Sequence, residues 1–512
     1  MDAHNAIVAK VAERVKHFHT TMKPFRIYHG STNSTRPSHR RADNTVDTSK
    51  LNKVLSVDTD KMTATAEPNV PLGDLVAATL KRGLLPPVVM EFPTITVGGG
   101  FSGSSGESSS FRHGAFEANI ESIEIVLPDG TVERASRTEK PDLLWGAASA
   151  FGTIGVVTLV EVRLRPAKPF VELRYIHCKT PEDYVGVIHA ESAKEDVEFI
   201  DGIVYSRDST IICSGRFADT VPSGKKPVGF TARRDPWFYL HAQGREKKLR
   251  GLGKAEDEQL TDFIPVTDYL FRYNRAGFWT ARYAFKYFLT PFNRVTRAAL
   301  DRFMHTSVMY HAMHKSGLHD YYVIQDVGVP YSKAPDFHRW LDDTYKLYPI
   351  WLCPLRIRRD APDSGHGLHA EFADPATEET LLNYGVWGPV PGDRKEIVRM
   401  NRLLEHKVRE CGGKKWLYSH AYYTEEEFWA HYDRPAYDAV RERYGAGHLP
   451  SVFDKTRVDW EAEDAALKAR PVKSRLWKIW PLAGLYGVYH AWTGADYLLQ
   501  KQKGEAAKGD KA

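Results

Sequence analysis

The stretch Thr96-Val97-Gly98-Gly99-Gly100-Phe101-Ser102-Gly103-Ser104-Ser105-Gly106 constrains this protein more than any other part of it. Consecutive glycines let a backbone approach a flat ring or a diphosphate where any Cβ would collide. Such a composition also makes flexible linkers. Here, however, strong β patterns precede and follow it, and Phe101, Phe111 and Phe116 punctuate it. A buried binding loop is therefore expected. It is not a dinucleotide fingerprint, because no helix pattern opens at the glycines, and it lacks the Gly-Lys-Ser/Thr of a phosphate loop.

Two further loops belong with it. A short strand, Phe25 to Tyr28, runs into Gly30-Ser31-Thr32-Asn33-Ser34-Thr35. A glycine followed by small hydroxyl and amide residues turns several N–H groups into one concave nest, which suits phosphate oxygens. The third, Gly152-Thr153-Ile154-Gly155-Val156-Val157-Thr158, begins a strand whose small residues leave room for a ligand along it.

At 512 residues the protein is too long for one ordinary domain, and 42% hydrophobic with 26% charged residues is a globular balance. No run of about 18 apolar residues marks a membrane span, and the amphipathic N-terminus lacks a signal peptide's apolar core. Net charge is +5, with 70 basic and 65 acidic residues well mixed, which excludes a nucleic-acid footprint. Four cysteines without CxxC spacing argue against a disulfide scaffold or zinc site; no metal centre is expected.

Periodicity gives a helix over residues 1–22, strands meeting at Asp58–Lys61, a helix Pro71–Arg82 and strands at Ile120–Leu127 and Val156–Arg163. Pro166 and Pro169 mark a boundary. Beyond it, Phe170–Cys213 begins a new sheet, 230–315 is aromatic and mostly helical, and Val323–Val329 and Tyr348–Arg356 are buried strands. Residues 360–392 read as loop around a short strand, and Arg394–Glu410 as helix. As a strand, 417–422 would put Tyr418, His420 and Tyr422 on one face. From Ile479 to Ala495 there is no formal charge but two tryptophans and two tyrosines, with Lys473, Arg475 and Lys478 before and Lys501 and Lys503 after. That is short for a span and suits the membrane interface; a helix packed on the protein's own core is the alternative.

The order of the three loops resembles the FAD-binding half of the vanillyl-alcohol oxidase-type (PCMH-type) flavoproteins over about residues 4–168. That resemblance implies an α+β fold: a two-subdomain FAD-binding domain, then an α+β substrate (cap) domain over 169–456 and a tail over 457–512. It implies an extended FAD held by Gly30, Ser31, Thr32, Asn33, Ser34 and Thr35 at the diphosphate. Thr96, Gly98, Gly99, Gly103, Ser104, Glu107, Ser109 and Gly114 would hold it from the second loop, and Gly152, Thr153, Gly155 and Val157 from the third. No Cys falls in 96–116, and neither His29 nor His113 sits at the usual attachment point, so non-covalent FAD is expected.

The second half is similar to the Δ24-sterol reductase family, from about residue 22 to 456. The likeness rests on Gly106-Glu107-Ser108-Ser109-Ser110 with Arg112-His113-Gly114, Val323 to Pro330, Tyr348-Pro349-Ile350-Trp351-Leu352-Cys353-Pro354, Leu417 to Tyr422 and Glu426 to Trp429. It implies reduction of an isolated alkene in the tail of a sterol or related terpenoid, NADPH as hydride source and residence at the endoplasmic reticulum membrane, with the cytoplasm as the alternative. Tyr418 and His420 are the candidate proton donors, Glu107 their rival. Trp351, Phe278, Trp279 and Tyr348 are candidates to line an apolar pocket. A vanillyl-alcohol-type oxidase and a lipid-binding scaffold without chemistry are the alternatives.

Overall fold

The structure is a computed structural model that describes residues 1–30, 32–36, 38–251, 260–469, 477, 479–494 and 498–500. Ser31 of the first loop and the lysines and arginine flanking the tail lie outside the described residues.

The first third builds two small subdomains. A 19-residue helix, α1 (Asp2–Thr20), buries Val8, Val11, Val15 and Phe18 at helical spacing. These pack on Phe25, Val46, Val126 and Val156. Near its start His4 is buried between Glu67 (2.9 Å) and Glu124 (3.0 Å). Beside α1 the parallel pair β1 (Arg26–Tyr28) and β2 (Thr45–Asp47) carries the first loop. The second subdomain is an antiparallel sheet of β3 (Val54–Asp58), β4 (Thr63–Ala66), β5 (Ile120–Val126), β6 (Val132–Ser136) and β7 (Val156–Arg163), in the order β3-β4-β7-β5-β6.

The glycine stretch departs from its expectation. Val97–Gly103 forms a short helix, α2. Glycine-rich sequence is a poor helix former, but tertiary anchors override that preference. Thr96 Oγ1 accepts a hydrogen bond from the Gly99 N–H at 3.1 Å, and Val97 and Phe101, four residues apart, are both fully buried.

The second domain is an eight-stranded sheet, antiparallel throughout. Its strands are β8 (Phe170–Cys178), β9 (Phe199–Ser206), β10 (Ser209–Ala218), β11 (Thr261–Pro265), β12 (Tyr322–Pro330), β13 (Ile350–Arg356), β14 (Thr380–Pro389) and β15 (Lys414–Lys415). The spatial order is β11-β8-β10-β9-β13-β14-β12-β15. Successive side chains point to opposite faces, so each central strand feeds two cores. Ile350 and Leu352 enter one with Tyr184, Phe337 and Leu404 from the covering helices. Trp351, Cys353 and Leu355 enter the other, toward the first domain. β14 falls where mostly loop is expected. This ten-residue strand pairs with β13 through 380–385 and with β12 through 381–389, because Leu382, Tyr384, Val386 and Trp387 bury in spite of the flanking prolines and glycines.

Residues 434–456 return to the first domain. Val440 lies against Gly146, Tyr437 Oη is 2.8 Å from Thr153 Oγ1, and Lys455 Nζ donates to the Phe151 carbonyl at 2.5 Å. The tail forms the helix Leu482–Thr493. No helix among the described residues is long and apolar enough to cross a membrane.

Candidate active site

All three loops meet the inner face of the large sheet around a cavity of about 640 Å³. Thr32, Asn33, Ser34, Thr96, Gly98, Gly99, Gly103, Ser104, Gly152, Gly155 and Val157 line it. Gly98 fits only as glycine, since a Cβ there would stand 2.6 Å from Pro68 Cβ. Gly99 is different: a Cβ would meet Thr96 Oγ1 at 3.0 Å and nothing else nearby.

One end of the cavity is basic. Arg26, Arg36, Arg40, Lys455 and His29 line it. Arg36 is fixed by the carbonyls of Leu417 and Ser419 (2.7 Å to the latter), and Arg40 Nε donates to the Ile27 carbonyl at 2.7 Å. Burial, then the repulsion of Arg26, Arg40 and Arg36, pulls the Lys455 ammonium down to about 7. Burial and neighbouring cations likewise bring Arg36 down to about 9 and keep His29 neutral, at about 3. Cations that destabilise one another in this way are a built receptor for a multiply charged anion. Beside a nest of small polar residues, that donor set fits the diphosphate of a dinucleotide.

The other end is acidic and aromatic. Asp326 Oδ2 accepts hydrogen bonds from Tyr418 Oη (2.5 Å) and Trp387 Nε1 (3.1 Å), and Oδ1 accepts from Asn383 Nδ2 (2.9 Å). Burial raises the Asp326 carboxyl to about 6 against those three bonds. Glu91 shares this end. Burial, with Glu107 and Asp326 adding repulsion, raises its carboxyl to about 8. Trp351, Trp387, Trp416 and Phe92 complete the wall.

Several expected residues stand behind the lining instead. Gly30, with φ at +79°, turns the first loop. Thr35 is fully buried and hydrogen-bonds His420 Nδ1 at 2.8 Å. Residues 417–420 form a turn, not a strand, because side chains take their carbonyls: Arg36 those of Leu417 and Ser419, Ser34 Oγ that of Tyr418 (2.8 Å), Lys415 and Gln325 that of His420. Tyr418 therefore faces the cavity, while His420 turns away and stacks on His319 at 5.1 Å between centroids.

Glu107 also points away from the cavity. It pairs with Arg272 at 2.9 Å, and Arg272 pairs with Asp201 at 2.8 Å, all three buried. Ser109, two residues beyond Glu107, is buried, and Gly114 (φ +72°) turns the backbone after the following short helix. Thr153 Oγ1 donates to the Ala150 carbonyl at 2.7 Å. Of the aromatic candidates only Trp351 lines the cavity. Phe278 stacks on Tyr273 behind it, Trp279 Nε1 donates to the Trp387 carbonyl, and Tyr348 bonds Asp342.

Sequence reading missed Glu91, Asp326 and the basic end. A single carboxylate in the apolar run Leu84 to Phe92 was a legible signal, and Arg36 and Arg40 follow the first loop directly. Lys455 had none, because only the returning segment brings it here.

Residues 6–136 match the FAD binding domain family. The protein is 30% identical over 420 residues to the delta(24)-sterol reductase of Macaca fascicularis, an alignment that spans 79% of this sequence and 76% of that one. This chain belongs to the delta(24)-sterol reductase family. Another member, from Arabidopsis thaliana, is 28% identical over 83% of this sequence and 78% of its own length. Cytokinin dehydrogenase 6 of Oryza sativa subsp. japonica is 28% identical over 166 residues, 32% of this sequence and 29% of that protein. With the family come its class, an oxidoreductase acting on a CH–CH group, and FAD as cofactor.

Proposed function

We propose that this protein reduces the isolated Δ24 alkene of a sterol or related terpenoid, with non-covalently held FAD and NADPH as hydride source. The observation that carries the reading is one cavity with a cationic end, an aromatic wall and two carboxyls, Glu91 and Asp326, raised by burial at the other end. Addition to the alkene needs one hydride and one proton, and NADPH leaves as NADP⁺. FAD, when bound, would supply the two-electron redox chemistry that links NADPH to the alkene.

The protein's own residues do the rest. Arg26, Arg36, Arg40 and Lys455 would hold the diphosphate. Glu91 gives the proton: its carboxyl, raised to about 8 by burial, is protonated at neutral pH and matched to the task. Tyr418 is the weaker donor, since burial lifts its phenol well above 10; it fixes Asp326 and shapes the pocket. An alkene has no carbonyl to polarise, so charge develops on the more substituted carbon. The faces of Trp351 and Trp387 are suited to steady it.

Anaerobic titration tests this. NADPH should bleach the flavin and a Δ24 sterol should restore it. Bleaching by an alcohol but not by NADPH would make the protein an oxidase of the vanillyl-alcohol type.

A further inference from the structure

A second cavity, of about 390 Å³ and almost wholly apolar, meets the first at Phe92, Tyr310 and Trp387. Its volume falls within the usual range of small-molecule sites, about 300–1,000 Å³. The tail helix, α3 (Leu482–Thr493), forms one wall through Gly484, Leu485, Val488 and Ala491. It packs tightly, for a Cβ on Gly484 would lie 2.4 Å from Tyr287 Cε1 and one on Gly487 2.4 Å from the Ala312 carbonyl. Trp480 Nε1 ties its start to the Tyr287 carbonyl at 2.7 Å. Leu485 is a wall of this cavity and yet 51% exposed.

The outside of the same wall is greasy. Among the described residues fourteen large hydrophobic side chains are exposed, and ten of them come from just two segments, 289–295 and 479–492. Leu289, Val295, Ile479, Trp480, Tyr489 and Trp492 are the most exposed. Single exposed apolar residues are ordinary, but such a concentration marks an interaction site. Its composition selects the partner. Tryptophan and tyrosine favour the level of lipid headgroups. Residues 281–300 carry four cations, Arg282, Lys286, Arg294 and Arg297, and no carboxylate. Cations beside an apolar face complement an anionic bilayer surface.

We propose that the tail helix and residues 289–295 form one composite membrane-docking face, and that a lipid substrate passes through it from the bilayer into the apolar cavity without entering water. The second half of this statement rests on the sterol or terpenoid reading; the first does not.

The full-length holoenzyme is tested by flotation with phosphatidylcholine–phosphatidylserine vesicles. Two double variants change only exposed side chains: Leu289→Asp with Val295→Asp, and Tyr489→Asp with Trp492→Asp. Leu289 has a positive φ, which Asp tolerates. Each is expected to cut the vesicle-bound fraction at least tenfold with unchanged thermal unfolding. Each should slow uptake of a fluorescent sterol from vesicles by a similar factor while leaving uptake from cyclodextrin unchanged. A wild-type protein that does not float, or variants that float as well as wild type, would overturn the docking face. So would a wild-type dimer in solution that the variants convert to monomers without affecting flotation. Flotation lost in the variants with equal sterol uptake from vesicles would overturn the route. Failure to take up sterol even from cyclodextrin would instead count against the substrate reading and leave the flotation result standing.

Discussion

Thr35 Oγ1 and His420 Nδ1 lie 2.8 Å apart, although 385 residues separate them in sequence. The bond clasps the first loop of the flavin domain to the turn that carries Tyr418. It is one of a set, since Thr35 N and Ser34 Oγ both donate to the Tyr418 carbonyl, at 3.3 and 2.8 Å. The basic end of the cavity and its acidic, aromatic end are thus held in one frame. Thr35→Val keeps the shape but leaves the buried Nδ1 unpaired, which costs about 1–3 kcal/mol. Thermal unfolding should show that loss, and FAD titration should show weaker binding.

Glu91→Gln removes the acid and keeps the volume. Turnover should fall by about 10²–10⁴-fold with flavin still bound. In the wild type the rate should decline above about pH 8, where the carboxyl ionises. A carboxyl raised on folding gives stability that is complete below its ordinary value near 4.5 and is lost as pH rises through about 8. Glu91→Gln should therefore unfold with a flatter pH dependence across that window, and be the more stable protein above it. Urea unfolding at a series of pH values measures this.

Lys455 predicts a proton uptake. With its ammonium held at about 7 by burial and three arginines, a bound diphosphate must raise it again. At pH 8 FAD binding should take up protons, and affinity should weaken as pH climbs from 7. Calorimetry in two buffers of different ionisation enthalpy detects this. Lys455→Arg, always charged, should abolish the uptake.

Arg272 sits wholly buried between Glu107 and Asp201. Removing one partner of a buried pair strands the other, at about 3–5 kcal/mol. Arg272→Met should lower stability by that order in denaturant unfolding. Because Glu107 also holds the Ser108 N–H at 2.5 Å, the second loop should loosen with it.

The sheets, and the three loops in their order, were legible because hydrophobic alternation and glycine spacing are local properties. Strands such as Val156–Arg163 and the helix Arg394–Glu410 fall at their expected bounds. The failures share a cause. The helix at Val97–Gly103 exists because Val97 and Phe101 find a core, and the turn at 417–420 because Arg36, Ser34 and Lys415 reach its carbonyls from elsewhere. Local pattern carries no such information. For the same reason His420 reads as a catalytic neighbour of Tyr418, whereas the turn sends the two side chains to opposite sides. Lys455 enters the cavity only through the return of 434–456, which no spacing announces.

The flavin itself decides the central claim. Native protein should be yellow, and acid precipitation should release intact FAD into the supernatant. Gly99→Val, whose Cβ would meet only Thr96 Oγ1 within 4 Å at a position that lines the cavity, should purify colourless, fail to take up added FAD and keep its cooperative unfolding. A Gly99→Val protein with a full complement of FAD would contradict the placement of the cofactor against these glycines.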